Sequence, residues 1–540
     1  MNRAMSSSSK SILLLYLLFL FTNYAKCEWF SSLSQMEDLV HDEIDLLSSL
    51  RDYINAEETK IMKIKRLAEE YQQISESART NIDEYLGHPV NQYRLVKRLA
   101  SEWSEMEDLV MEDVTPVFLT NLSTKRANFP NEDDVKGSAQ AIIRLQETYR
   151  LKTHDLVQGI IKGIQANQSL TADDCYDIGR TAYLEQDFYH CALWMNEVSN
   201  MPENGYIRIT RFDVLDHLSY CMAQQGNIER AYEMTSEMIE IDPTHPRIVA
   251  NHKHYRTLLG ARKKGDDGDP STESGAMLTR NPAAYPEFNR YERLCRLEQN
   301  KIPKRIEKKL KCYYWTNNNH PRLILQPTKL EELWHSPHLV RFHDVITDKE
   351  VEEIKAVAKP RLNRATVQNP STGKLEHAHY RVSKSAWLSD SESPAVARVC
   401  QRISDITGLS METAEQLQIA NYGVGGQYEP HYDFARESDA GKFEEELGNR
   451  IATFLIYLTD VENGGSTVFL HPGIAVRPIR GSAAFWYNLY PSGEGDLRTR
   501  HAACPVLTGV KWVSNKWIHE RDQEFHRKCA LNKNSDNRMF

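Results

Sequence analysis

The chain has 540 residues, enough for three or four domains. Its 41% hydrophobic and 26% charged content is that of a soluble globular protein. A formal net charge of −9 argues against a nucleic-acid binder, which would usually be basic.

The one long apolar run, Ile12 to Phe21, is too short to span a bilayer. Lys10 precedes it, and Ala25 and Cys27 offer small residues near a cleavage point, the pattern of a secretory signal peptide over 1–27. No later segment could span a membrane, so the mature chain is expected to be luminal or secreted. Disulfides persist in such a compartment. Of the nine cysteines, local spacing singles out Cys295 with Cys312 and Cys504 with Cys529, but sequence alone does not fix connectivity. Cys175, Cys191 and Cys221 lie in helical patterns and read as buried thiols. Asn121-Leu-Ser123 and Asn167-Gln-Ser169 are glycosylation sequons.

An N-terminal helical domain is expected over 28–160. From Glu37 to Ile74 there is no Gly or Pro, and Val40, Leu47, Ile54 and Ile61 recur every seven residues. Leu50, Ile64 and Tyr71 continue the second series of that heptad, but Glu43 and Glu57 interrupt it. A coiled coil joining two copies and one long helix packed on its own domain both fit. Over 165–260 the pattern becomes stacked helix pairs. Asp187 and Ala192 recur as Gly226 and Ala231 at one shared offset, and a third helix, Arg247 to Leu259, caps the stack. The repeat is tetratricopeptide-like, with an offset longer than the usual ~34 residues, so the connection 199–210 must be enlarged. A linker segment spans 261–335, with Gly, Asp and Ser concentrated from Lys263 to Ser274. Over 336–530 the texture turns to β. Leu417 to Tyr422, Gln427 to Asp433, Ile451 to Val461, Ser482 to Leu489 and Lys511 to His519 read as short strands of a barrel or jelly roll. The strand before Val461 is apolar on both faces and is expected to be central.

The chemistry concentrates in His431-Tyr-Asp433 and a distant His501. In a strand, residues i and i+2 point to one face, so His431 and Asp433 project together. A second imidazole completes the two-His, one-carboxylate set of non-haem Fe(II) oxygenases, which leaves coordination positions open. Zinc is the rival metal, but zinc hydrolases more often use a helical His pair. Lys511, beyond a Thr508-Gly509 turn, is a cation that would be costly to bury without a counter-ion. A dicarboxylate co-substrate would supply one.

Beyond these spacings, the segment from about Leu417 to Phe525 resembles the catalytic domain of collagen prolyl 4-hydroxylase α subunits. The matching motifs are Asn421-Tyr-Gly, Tyr428-Glu-Pro-His-Tyr-Asp433, Asn463-Gly-Gly-Ser-Thr467, His501-Ala-Ala-Cys-Pro-Val-Leu and Lys511-Trp-Val-Ser-Asn-Lys-Trp-Ile-His-Glu520. The preceding helices, repeat block and linker are similar in order and length. The resemblance implies a multidomain α + β chain: a coiled-coil dimerisation region, a tetratricopeptide-like peptide-binding domain and a double-stranded β-helix dioxygenase domain. It implies Fe(II) on His431, Asp433 and His501, and 2-oxoglutarate on Lys511, Tyr422 and Thr467. It also implicates His519, yet eight residues of straight strand span roughly 26 Å. One small dicarboxylate therefore does not easily touch both His519 and Lys511. Lys511 is expected at the barrel floor, with His519 and Trp517 near the mouth, where Trp517 could stack on a substrate prolyl ring.

The implied reaction hydroxylates proline in X-Pro-Gly repeats with O2 and 2-oxoglutarate, with ascorbate rescuing oxidised iron. Peptide binding by the repeat block is implied, and Tyr183, Asp216, Tyr220, Arg247, Asn251 and Tyr255 are its candidates. Aromatic grooves suit preformed polyproline II segments. His254 stands where many family members carry Tyr. The implied partners are a second α chain and protein disulfide isomerase, in an α2β2 assembly. The end Asn537-Arg-Met-Phe540 carries no KDEL-like signal, so the isomerase would hold the complex in the endoplasmic reticulum lumen. Two other readings fit parts of the sequence. A non-catalytic, proline-rich-peptide-binding chaperone would be favoured by loss of an iron ligand or Lys511, and all four are present. A lysyl hydroxylase would usually carry Arg at the anchor and lack the repeats.

Overall fold

A computed structural model describes residues 29–265, 278–281, 285–298, 302–368, 375–436, 443 and 446–532. The expected signal peptide, most of the Gly-rich linker and the C-terminal tetrapeptide lie outside the described residues. The chain divides into two compact units, Gln35–Phe129 and the residues up to Ser34 together with Pro130–Phe540. The division at Phe129 falls within the expected region 28–160.

The Gln35–Phe129 unit is organised on the helix Leu33–Thr80, 48 residues with no internal breaker. Its inner stripe meets shorter return helices, including Trp103–Met111 and Thr115–Arg126. Tyr53 stacks on Phe118 with ring centroids 5.8 Å apart, Tyr71 meets Trp103 at 5.6 Å, and Lys125 pairs with Asp42 at 2.6 Å. The heptad stripe is not part of this contact. Val40, Leu47, Ile54 and Ile61 are 56%, 49%, 44% and 47% exposed. The helix therefore has two apolar stripes, of which its own unit covers one.

In the other unit, helix Glu132–Tyr149 precedes the antiparallel pairs Ala172–Leu184 with Phe188–Ser199 and Arg211–Gln224 with Ile228–Ile241. Helix Pro246–Gly265 closes the stack. Asp187 and Asn227 each cap the second helix of a pair, accepting from His190 N and Arg230 N. Gln186 and Gly226, with φ of 61° and 84°, make the left-handed turn before each cap. The repeats are thus in register at Gln186/Gly226 and Asp187/Asn227, one position from the alignment of Asp187 with Gly226. Cys191 and Cys221 form a disulfide between adjacent pairs and are not free thiols. Both face the shared core of this block, which is why they meet.

The C-terminal half is a jelly roll. A nine-stranded sheet runs in the order Cys312–Trp315, Thr328–His335, His338–His343, Ala483–Tyr487, Arg450–Tyr457, Lys511–His519, Leu417–Tyr422, Lys384–Leu388 and Asn363–Arg364. Arg450–Tyr457 is central, as its two apolar faces require. A four-stranded sheet, Tyr428–His431, His501–Ala503, Thr467–Phe469 and Ile474–Val476, faces it. One core packs helices Asp348–Ala358 and Pro394–Thr407 behind the large sheet; a second, with Tyr422, Leu455, Tyr457, Phe469 and Trp486, fills the space between sheets.

The expected disulfides Cys295–Cys312 and Cys504–Cys529 are corrected: Cys295 bonds Cys504. Helix Phe288–Cys295 lies against the small sheet, and both sulfurs fall in one core cluster with Val468, Ala502 and Leu507. Cys312 is on the outermost strand and Cys529 in the C-terminal segment, both exposed thiols. Among the described residues no helix is long and apolar enough to cross a membrane.

Candidate metal and co-substrate site

His431 ends its strand and Asp433 lies in the bend that follows, so the carboxylate turns back toward the imidazole. His501 begins the neighbouring antiparallel strand and pairs in register with His431. His431 Nε2 lies 3.6 Å from Asp433 Oδ1, and His501 Nε2 lies 3.6 Å from Asp433 Oδ2. The three ligand atoms all fall within 4.8 Å of one another. Each imidazole spends its other nitrogen on the backbone: His431 Nδ1 donates to Glu429 O at 2.7 Å, and His501 Nδ1 to Thr499 O at 3.0 Å. That fixes the tautomers and leaves both Nε2 lone pairs for a cation. Burial and the neighbouring His501 push His431 down to about 3, so it is a neutral ligand. Burial alone would raise Asp433, but His501, His431, Arg450 and the Thr453 hydroxyl outweigh it and hold the carboxyl at about 2. Two imidazoles and one carboxylate fit a divalent metal such as Fe(II).

A chain of hydrogen bonds supports the carboxylate. Trp486 Nε1 donates to Asn488 Oδ1 at 2.8 Å, Asn488 Nδ2 to Thr453 Oγ1 at 2.9 Å, and Thr453 Oγ1 to Asp433 Oδ2 at 2.8 Å. Sequence reasoning missed Thr453 and Asn488. A buried polar residue in an otherwise apolar central strand was the available signal for Thr453.

Behind the triad is a small chamber of about 40 Å³, lined by Tyr422, Thr467, Lys511 and Trp517 together with the metal ligands. Lys511 is 1% exposed, and among the described residues no carboxylate pairs with it. Burial lowers its pKa to about 7. Its Nζ lies 4.8 Å from the Tyr422 ring centre. Thr467 Oγ1 accepts from Tyr457 OH at 2.9 Å, which leaves its own proton to give. A chamber of this size has no room for a peptide.

In front is a wider groove of about 560 Å³, lined by Arg381, Trp387, Tyr428, Arg450, Trp517 and His519 among others. His519 is placed here and not in the inner chamber. Its Nδ1 donates to Gly448 O at 2.7 Å and its Nε2 lies 3.1 Å from Glu415 Oε1. Both ring nitrogens are engaged within the protein. Trp517 bridges chamber and groove, with the Arg450 guanidinium 4.0 Å from its ring centre and Trp387 at 5.8 Å.

In the repeat block Tyr183 and Tyr220 meet edge to face at 5.6 Å, with Phe188 5.7 Å from Tyr220 and His217 4.9 Å from Tyr183. All four are half-buried, with Phe188 and His217 packed beside the expected Tyr183 and Tyr220. Asp216 and Arg247 form an ion pair, and Asn251 is half-buried on the last helix. Tyr255, at 4% exposed, is a core residue beneath the cluster, because its helix closes the stack with that face inward. Asn167 is exposed in a loop, and Asn121 is half-buried on a helix.

Three family models match the chain: the prolyl 4-hydroxylase alpha-subunit N-terminal region over residues 32–163, the prolyl 4-hydroxylase peptide-substrate-binding domain over 172–261, and the 2OG-Fe(II) oxygenase superfamily over 417–519. Prolyl 4-hydroxylase subunit alpha-1 of Homo sapiens is 49% identical over 510 residues, which cover 93% of this chain and 96% of that protein. Subunit alpha-2 of Gallus gallus is 48% identical over 515 residues, covering 94% and 96%. Subunit alpha-2 of Caenorhabditis elegans is 42% identical over 528 residues, covering 97% and 96%.

Proposed function

Because the chain belongs to the family of prolyl 4-hydroxylase alpha subunits, we infer that it is a proline dioxygenase dependent on Fe(II) and 2-oxoglutarate, with His431, Asp433 and His501 as its metal ligands. The observation that carries this reading is the buried triad opening onto a chamber floored by a buried lysine. The reaction converts proline in X-Pro-Gly sequences to 4-hydroxyproline and releases succinate and CO2. When bound, Fe(II) supplies the oxygen chemistry; ascorbate, typical of the family, keeps it reduced.

The chain's own residues do the rest. Lys511 gives the distal carboxylate of 2-oxoglutarate a counter-ion, and the Tyr422 and Thr467 hydroxyls are neutral donors beside it. The narrow chamber keeps water from that pairing, which strengthens it. The outer groove receives the peptide, with Trp517 at the junction, so the target proline enters from the side opposite Lys511. The Tyr183, Phe188, His217 and Tyr220 cluster holds a proline-rich segment farther along, with Asp216, Arg247 and Asn251 at its edge. A preformed polyproline II helix has little entropy to lose on such a surface. Alanine at His431, Asp433 or His501 should abolish turnover while the protein still folds and assembles. Near-normal turnover in any one would rule out this site.

The assembly and location are part of the same proposal. The exposed stripe Val40, Leu47, Ile54 and Ile61 is a dimerisation seam between two α chains. Protein disulfide isomerase is the second subunit and retains the complex in the endoplasmic reticulum lumen. A stable, active, retained α chain made in cells lacking the isomerase would overturn that part.

A further inference from the structure

The motif Asn421-Tyr-Gly423 is only partly explained by chemistry, since Tyr422 alone lines the co-substrate chamber. Asn421 points away from the chamber and is fully buried. Its side chain meets the first described residues of the chain. Ser32 Oγ donates to Asn421 Oδ1 at 2.7 Å, and Ser34 N approaches the same oxygen at 3.4 Å. Asn421 Nδ2 in turn donates to the backbone carbonyl of Lys511 at 3.3 Å. One amide therefore joins the segment 29–34 to the backbone of the anchor lysine and is next in sequence to the tyrosine beside it.

The rest of the segment is equally well seated. Gly423 N donates to Ser31 O at 3.0 Å. Ser31 and Ser32 are fully buried. A Cβ at Gly423 would stand 2.3 Å from Phe30 O, and one at Gly137 would stand 2.1 Å from the Phe30 ring. Both glycines thus make room for Phe30. Trp29 N donates to Asp134 Oδ1 at 2.5 Å, and Lys384 Nζ lies 5.8 Å from the Trp29 ring centre. Six residues far from the barrel in sequence thereby fill a made-to-fit slot behind the strand Leu417–Tyr422.

We propose that the segment 29–34 is a positioning element for the 2-oxoglutarate chamber, acting through Asn421 on Lys511 and Tyr422. This rests on the reading of Lys511 as the co-substrate anchor. The strand Leu417–Tyr422 pairs with Lys511–His519 at Tyr422 opposite Lys511, at the very end of the ladder. Strand ends fray unless tied down, and the segment supplies the tie. Ser32, Asn421 and Gly423 are its parts, and none touches metal or substrate.

The test uses the assembled enzyme. Ser32→Ala removes one hydroxyl and leaves a buried amide oxygen with a weaker partner. It should raise the KM for 2-oxoglutarate about tenfold, with kcat at saturating 2-oxoglutarate and the KM for a long proline-rich peptide unchanged. Direct calorimetric binding of 2-oxoglutarate to the anaerobic Fe(II) enzyme should weaken by the same factor. Asn421→Ala should do more; if it prevents assembly, Ser32→Ala alone carries the test. An unchanged 2-oxoglutarate affinity in Ser32→Ala overturns the proposal. So does a parallel loss of peptide affinity and melting temperature, which would mean general packing. Lys511→Ala serves as the control: no effect there on 2-oxoglutarate would instead remove the anchor reading.

Discussion

Thr453 Oγ1 donates to Asp433 Oδ2 over 2.8 Å, so the metal-facing carboxylate is aimed by a hydroxyl on the central strand of the large sheet. The hydroxyl's lone pair is taken by Asn488 Nδ2, which leaves its single proton for Asp433. Thr453→Val keeps the shape and removes the donor. It should weaken metal binding about tenfold or more, as loss of a ligand's supporting partner typically does. Titration of the apo-enzyme with Co(II), followed by its visible absorption, reads this directly. Wild-type affinity would show that packing alone orients Asp433.

If Lys511 anchors the co-substrate as proposed, it should carry the pH dependence of co-substrate binding. Its pKa is lowered to about 7 by burial, and it must be an ammonium to pair with a carboxylate. Below about pH 7 the free enzyme already holds that charge. Above it, binding must take up a proton, so the KM for 2-oxoglutarate should climb about tenfold per pH unit. Kinetics between about pH 6 and 8.5 check the slope, and calorimetry in two buffers checks the proton uptake. Lys511→Arg should remove the slope, because a guanidinium stays charged throughout, even if its larger planar head binds less well.

Tyr220 and Tyr255 should separate binding from packing. Tyr220→Ala removes a half-buried ring of the aromatic cluster and should raise the KM for long proline-rich peptides about tenfold or more. Its effect on melting temperature should be small. Tyr255→Ala empties a core position at 4% exposure and should destabilise the block by about 3 kcal/mol or more. Equal effects of both variants on peptide KM and stability would remove the distinction.

The exposed heptad stripe should govern self-association. Leu47→Glu with Ile54→Glu places charges on the face that the unit's own return helices leave open. Sedimentation equilibrium should then give one α chain per complex, with turnover per α chain retained. A variant that stays dimeric would move the interface elsewhere.

The sequence made the metal site legible because its three ligands are recognisable types and because strand parity fixes two of them on one face. His431 and Asp433 are close as expected, although Asp433 lies in the bend and not in the strand. Lys511 was legible from its place ten residues after His501, just beyond the Thr508-Gly509 turn. His519 shows where parity stops helping. It has the right face, but the strand carries it out to the groove, where Gly448 and Glu415 take both nitrogens. Local spacing misled for the cysteines. Cys295 is nearer Cys312 in the chain, yet helix Phe288–Cys295 packs on the small sheet and meets Cys504. Pairings between distant segments are set by tertiary packing, which spacing does not encode. The seating of Phe30 and Ser32 was invisible for that reason too. Nothing local to residues 29–34 marks Asn421 as their partner.

Hydroxylation of peptidyl proline by this triad and chamber can be read from product and by-product together. The most direct measurement follows release of CO2 from 2-oxoglutarate by the assembled enzyme with (Pro-Pro-Gly) repeats, with mass spectrometry of the peptide. The predicted result is peptide-dependent CO2 release matched by one added oxygen on proline before glycine, at C4, and neither in Asp433→Ala. Release of CO2 that is independent of the peptide, or a hydroxylated peptide from Asp433→Ala, would contradict the account.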